Sequence, residues 1–153
     1  MQEKLQEELE RREDSSLVPP PEKYFLKFKD KIIRNTIFHS DSLQEKDVIF
    51  GIANQVFAHS YINSQAVIGD NNIINTGAII EHEAIVGNHN HISIGAKICG
   101  RSAIGNICLI GAGAVVVDKI SICDNVIIGA GSVVIRDIND AGTYAGNPAK
   151  RIK

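Results

Sequence analysis

The sequence predicts an all-β protein wound as a parallel β-helix of short repeats, and three observations predict it. Large aliphatic residues recur every six positions, small residues recur two positions before them, and glycines recur every eighteen. A period of six is neither the 3.6 of a helix nor the simple alternation of an isolated sheet. It fits short strands that turn a corner every six residues and point one large and one small side chain inward.

The six-residue ladder runs without slippage from Phe50 through Val56, Ile62 and onward to Val134. All fifteen of its positions are large and apolar, and fourteen of them are Ile or Val. The small positions include Ser60, Ala66, Ala78, Ala84, Ala96, Ser102, Cys108, Ala114 and Ser132. Gly51, Gly69, Gly87 and Gly105 form one eighteen-residue series, and Gly77, Gly95, Gly113 and Gly131 form another. Gly111 and Gly129 are a further pair. Three hexads per coil make a triangular prism, and residues 50–138 supply about five coils by that eighteen-residue count. Stacking such coils buries a continuous aliphatic core and pairs the backbone from coil to coil.

The flanks read differently. Residues 1–34 form a charged N-terminal segment, a short helix or a tail, with Pro19-Pro20-Pro21 stopping any helix that precedes them. Residues 22–48 read loosely as a helix followed by a first strand, and the β-helix domain is placed at 35–138. Residues 139–153 read as a C-terminal loop and tail with a basic end.

Composition narrows the function. The 153 residues are 44% hydrophobic and 22% charged, with a net charge of −2, so no global field favours nucleic acid or an anionic membrane. No run approaches the roughly 18 uncharged apolar residues that a membrane span needs. The opening Met1-Gln2-Glu3-Lys4 leads into more charge, unlike a secretory signal. Cys99, Cys108 and Cys123 match no zinc spacing, which predicts a reduced, cytoplasmic setting.

The chemistry concentrates between residues 75 and 100, where Asn75, Glu81, His82, Glu83, His89 and His91 break the apolar texture. The coil period places His82 directly over Gly100. An imidazole facing a glycine amide suits acyl transfer: the ring takes a proton from the nucleophile and the amide steadies the developing oxyanion. A carboxylate neighbour would hold the ring's tautomer, and Glu81 and Glu83 are both candidates. A lone histidine on such a surface is ordinarily a polar corner residue, which is how His39, His59 and His89 are read. Three histidines and two glutamates within eleven residues lift His82 above that reading.

The segment Ile74-Asn75-Thr76-Gly77 through Glu81-His82-Glu83, then His91-Ile92-Ser93-Ile94-Gly95-Ala96, resembles bacterial sugar acetyltransferases of the sialic-acid O-acetyltransferase type. That group includes the N-acetyltransferases of nucleotide-linked amino sugars. Ala145-Gly146-Asn147-Pro148-Ala149-Lys150 resembles their ending, and the likeness spans roughly residues 35–153. The resemblance implies a left-handed β-helix, a homotrimer with active sites in the clefts between prisms, and acetyl-CoA as co-substrate without a metal. It implies His82 as proton acceptor, Glu83 as the residue that strengthens it, and His91 at the acetyl-CoA end of the site. Gly100 corresponds to the backbone near the thioester carbonyl, and Ala112 and Ala130 to backbone contacts along the coenzyme. Asn75 is the candidate for contact with the sugar, and Lys150 or Arg151 for a coenzyme phosphate. Members of that family carry an N-terminal α/β domain that binds the nucleotide sugar, and no glycine-rich first turn of that kind stands in this sequence.

The leading expectation is therefore acetyl transfer from acetyl-CoA to an amine or hydroxyl of a sugar. Two others compete with it. A zinc-dependent, carbonic-anhydrase-like β-helix needs three histidines on one metal, and His82 and His91 lie half a coil apart. A trimeric scaffold without turnover would need none of these side chains.

Overall fold

A computed structural model describes residues 35–153. The expected helix or tail at 1–34 lies outside the described residues. Every regular element in the described part is a β-strand, most of them two residues long, in a parallel β-solenoid of hexapeptide repeats. Among the described residues no helix is long and apolar enough to cross a membrane.

The strands stack into three faces. The first begins at Ile37–Phe38 and continues through Gln55–Val56, Ile73–Ile74, His91–Ile92, Leu109–Ile110 and Val126–Ile128. The second holds Leu43–Gln44, Tyr61–Ile62, Ile79–Ile80, Lys97–Ile98, Val115–Val116 and Val133–Val134. The third runs from Ile49–Phe50 to Ser121–Ile122. Register follows the eighteen-residue period, as in His91 against Ile73 and Leu109. The second face has six strands, about six turns where the aliphatic ladder suggested about five, because the coils begin before Phe50. Gln44 and the half-exposed Phe38 occupy the inward positions there, so the aliphatic pattern does not reveal that first turn.

The ladder is the core. Ile62, Ile74, Ile80, Ile92, Ile98 and Ile110 are each completely shielded from solvent. Full burial of such a side chain contributes about 1.5–3 kcal/mol. The small slots opposite hold Ala66, Ala78, Ala84, Ala96 and Ala114, also fully buried.

Each corner turns through one residue in the left-handed region, from Ala53 (φ 59°) and His59 (φ 59°) to Asn125 (φ 59°) and Gly131 (φ 66°), every sixth position. That conformation reverses the corner amide. Strand amides donate to the following coil, as Ile73 does to Asn90, whereas corner amides such as Gly77 donate back to Ala58. Only Gly77, Gly95, Gly113 and Gly131 meet the need with glycine; Ile107 (φ 57°) meets it with a β-branched side chain, a costly choice. The Gly51, Gly69, Gly87 and Gly105 series has another cause. A Cβ on Gly87 would lie 2.6 Å from the Gly105 carbonyl oxygen and 2.7 Å from Asn106 Oδ1.

Two side-chain ladders, one of asparagine and one of asparagine and aspartate, reinforce the stack. Inside, Asn54, Asn72 and Asn90 are buried; each Oδ1 accepts the backbone N–H eighteen residues on, the last from Cys108. Outside, Asp70, Asn88, Asn106 and Asp124 each accept the amide eighteen residues earlier.

The C-terminal stretch is more ordered than a loop and tail. Gly142–Ala145 adds a parallel strand to the first face, and Lys150–Arg151 returns antiparallel to it. The pairing sets Val126 against Gly142, so the last coil is two residues short of the eighteen-residue period. The return strand covers what would otherwise be an open sheet edge.

Candidate acetyl-transfer site

Two adjacent corners of the prism carry the predicted residues. His82, Glu83 and Gly100 lie on the corner between the second and third faces. Asn75, Ala112 and Ala130 lie on the corner between the first and second faces, with His91 opening a strand of the first face. The whole second face separates the two groups within one chain.

His82 Nδ1 faces Glu83 Oε2 at 3.1 Å. A carboxylate only accepts, so Nδ1 carries the proton and Nε2 presents its lone pair. The ring lies over Gly100, where a Cβ would stand 2.6 Å from Nε2 and 2.7 Å from Cε1. Glu83 itself is the left-handed corner residue (φ 58°), which turns its side chain alongside its neighbour's. Glu81 serves another purpose. Its Oε2 accepts from Asn63 Nδ2 at 2.7 Å and weakly from the His82 backbone N–H at 3.4 Å, so it braces the turn.

Backbone amides just before the corners provide the other chemical feature. On the corner between the third and first faces, those of Ile52, Asp70, Asn88 and Asn106 are closed by the outer ladder. The amides of Gly100, Ala112 and Ala130 donate to no acceptor among the described residues. The amides of Ala58, Ile94 and Asp118, at the same corner position of other coils, are open as well; an open N–H of this sort is able to donate to an oxyanion or a carbonyl.

His91 is half-buried, and burial pushes its imidazole below the ordinary value of 6.5. Its Nε2 sits 3.2 Å from Asn75 Nδ2, so the residue expected to touch sugar is paired with the one expected to touch coenzyme. Lys150 is exposed at the C-terminal end of the prism.

Arg101 and Asp118 escaped the sequence reading. The guanidinium grips both carboxylate oxygens of Asp118, with Nη2 2.9 Å from each, beside Gly100. The signal was present, since Asp118 follows Gly100 by the coil period. Burial pushes the Cys108 thiol up to about 11, in keeping with an inward packing residue. Among the described residues no group of three or more His, Cys, Asp or Glu side chains is arranged to hold a metal.

Residues 101–136 match the family described as bacterial transferase hexapeptide (six repeats). The chain is a hexapeptide-repeat protein. No curated protein matches it significantly in sequence. Among solved structures, this hexapeptide-repeat chain is similar to the acetyltransferase domain of PglB from Neisseria gonorrhoeae, at TM-score 0.82 and 29% identity. The match covers 88% of this chain and 68% of that one, and that domain has also been solved with acetyl coenzyme A. PerB from Caulobacter crescentus, solved with CoA and GDP-perosamine, matches at TM-score 0.83 and 32% identity. Here 86% of this chain and 64% of that chain are covered. WeeI from Acinetobacter baumannii matches at TM-score 0.78 and 25% identity, over 86% of this chain and 65% of that one. The hexapeptide-repeat chain thus spans about two thirds of the length of each, and these neighbours match the family that its motifs resemble.

Proposed function

We propose that this protein transfers the acetyl group of acetyl-CoA to an amino or hydroxyl group of a sugar, one linked to a nucleotide, with His82 as general base. The observation that carries the reading is the Glu83–His82–Gly100 arrangement: a ring held by its Nδ1 proton, its Nε2 lying over the α-carbon of Gly100, whose backbone amide is open. The crystallised neighbours with acetyl coenzyme A, or with CoA and GDP-perosamine, support the substrate classes.

In the proposed step the acceptor nitrogen or oxygen attacks the thioester carbonyl carbon while its proton passes to His82 Nε2. The Gly100 N–H donates to the carbonyl oxygen as charge collects there. Collapse breaks the C–S bond, and the imidazolium returns its proton to the departing thiolate of CoA. Glu83 holds the ring's orientation and steadies its positive charge. No covalent enzyme intermediate is required.

One prism cannot set His82 and His91 against the same coenzyme, because the second face lies between their corners. Two prisms packed side by side can, the corner of one supplying His82 and that of its neighbour supplying His91, Ala112 and Ala130. A closed homotrimer repeats such a cleft three times. Acetyl-CoA as donor accords with a cytoplasmic setting.

The test is release of free CoA thiol from acetyl-CoA against a panel of amino sugars and nucleotide-linked sugars. Turnover with any of them supports the proposal and names the acceptor. A protein that binds acetyl-CoA yet releases no thiol across the panel is the scaffold instead.

A further inference from the structure

The Gly100 amide is open although a carboxylate stands beside it. On the corner between the third and first faces, Ile52, Asp70, Asn88 and Asn106 are each the second residue past a strand, as Gly100 is on its own corner. Each of those amides donates to the Oδ1 of the Asp or Asn eighteen residues on, at 2.7 or 2.8 Å. Asp118 follows Gly100 in the same register as Asp124 follows Asn106, and its Oδ1 would lie 3.2 Å from a Cβ on Gly100. Yet the Gly100 N–H has no acceptor among the described residues, Asp118 included. The carboxylate is turned to Arg101 instead, with Nη2 2.9 Å from each oxygen and Nε 3.2 Å from Oδ1.

The other amides along the His82 corner are closed locally. Ser64 N–H donates to Asn63 Oδ1 at 2.7 Å, and His82 N–H reaches Glu81 Oε2 at 3.4 Å. Gly100 follows Cys99, which brings no carboxylate or carboxamide. That leaves Asp118 as the side chain placed to close it. An amide bound to a carboxylate is withdrawn from the site, since bonds to an ionised acceptor are about twice as strong as neutral ones. The Arg101–Asp118 pair is 46% and 44% exposed, and a pair so wetted adds little to stability. What it does change is where the carboxylate sits.

We infer that Arg101 is a positioning residue: it holds Asp118 off the Gly100 N–H and so keeps that donor free for the thioester oxygen. The catalytic half of this inference rests on the proposed function; the placement of the carboxylate does not. Without Arg101, Asp118 takes toward Gly100 the place that Asp124 takes toward Asn106, and a developing oxyanion meets a carboxylate where it needs a donor.

The experiment compares full-length wild type, Arg101→Ala, Arg101→Lys and Arg101→Ala/Asp118→Ala, each with its melting temperature measured to verify folding. Crystal structures read the distance from Gly100 N to Asp118 Oδ1, and steady-state acetyl transfer reads kcat, with acetyl-CoA affinity measured in parallel. In Arg101→Ala that distance is expected to shorten to about 3 Å. Its kcat is expected to fall on the order of a hundredfold with acetyl-CoA affinity little changed, because the oxyanion forms only during reaction. Arg101→Lys still pairs with the carboxylate and keeps most of the turnover. Removing Asp118 as well reopens the amide and restores most of the loss, a recovery that a merely structural role for Arg101 does not give. A carboxylate that stays off Gly100 in Arg101→Ala overturns this inference alone, and so does wild-type turnover with the amide closed or a loss that the second substitution does not restore. A wild type that turns over no acceptor, while the carboxylate closes on Gly100 in Arg101→Ala, overturns the proposed function and supports the placement.

Discussion

The imidazole of His82 covers the α-carbon of Gly100 so closely that a Cβ there would stand 2.6 Å from Nε2. That contact is with the movable end of a half-exposed side chain, so it constrains the ring more than the fold.

Three glycine-to-alanine substitutions therefore have three different outcomes. Gly100→Ala displaces the imidazole and lowers kcat about a hundredfold with little loss of stability. Gly87→Ala meets the Gly105 carbonyl and costs about 3 kcal/mol in urea unfolding. Gly113→Ala meets nothing within 4 Å but must keep φ near +66°, and costs about 1–2 kcal/mol.

The inner ladder sets a second test. Asn72 donates to the Gly87 carbonyl and accepts the Asn90 amide, both shielded by the coils around them. Asn72→Ala strands those two backbone groups. Unfolding by urea is expected to show a loss of about 3 kcal/mol, well beyond a surface substitution.

Much of this architecture is legible in the sequence because the inward positions tolerate so little: Ile62 through Val134 have no alternative to an apolar side chain. The corners are not legible in the same way. Ala53, His59 and Ile107 take positive φ without being glycine, since the amide reversal that joins coils rewards them for it. Asn54, Asn72 and Asn90 stand in slots that elsewhere hold mostly Ala, Ser or Cys, and only the structure reveals that their carboxamides replace missing backbone partners. Spacing placed His82 over Gly100, yet Glu81 and Glu83 flank it equally in sequence. The left-handed turn at Glu83 and the Asn63–Glu81 bond decide between them. The return of Lys150–Arg151 against Tyr144 and Ala145 follows no repeat and was invisible beforehand.

Acid exposes the state of His91. Its folded-state pKa is below the ordinary 6.5 because burial favours the neutral ring. As pH falls through 6.5 the unfolded chain takes up this proton first, so the native state loses stability until the folded ring also protonates. Stability measured from pH 7.5 to 5 is expected to decline in the wild type. His91→Gln should flatten the part of that slope that this ring contributes.

Cysteine chemistry provides a simple check on the core. With its thiol at about 11 and its side chain buried, Cys108 should resist a thiol reagent at pH 8 until the protein is unfolded. Labelling followed by peptide mass spectrometry reads the sites directly. Rapid native-state labelling of Cys108 would contradict the packing described for it.

The central claim is that His82 is the base and Glu83 its support. The most direct measurement is steady-state acetyl transfer, to an acceptor found in the thiol-release panel, by wild type, Glu83→Gln and His82→Ala, with acetyl-CoA affinity measured in parallel. The account predicts that His82→Ala lowers kcat by about 10²–10⁴-fold with coenzyme affinity retained, and that Glu83→Gln gives a smaller loss. A folded His82→Ala protein that turns over at the wild-type rate would contradict it.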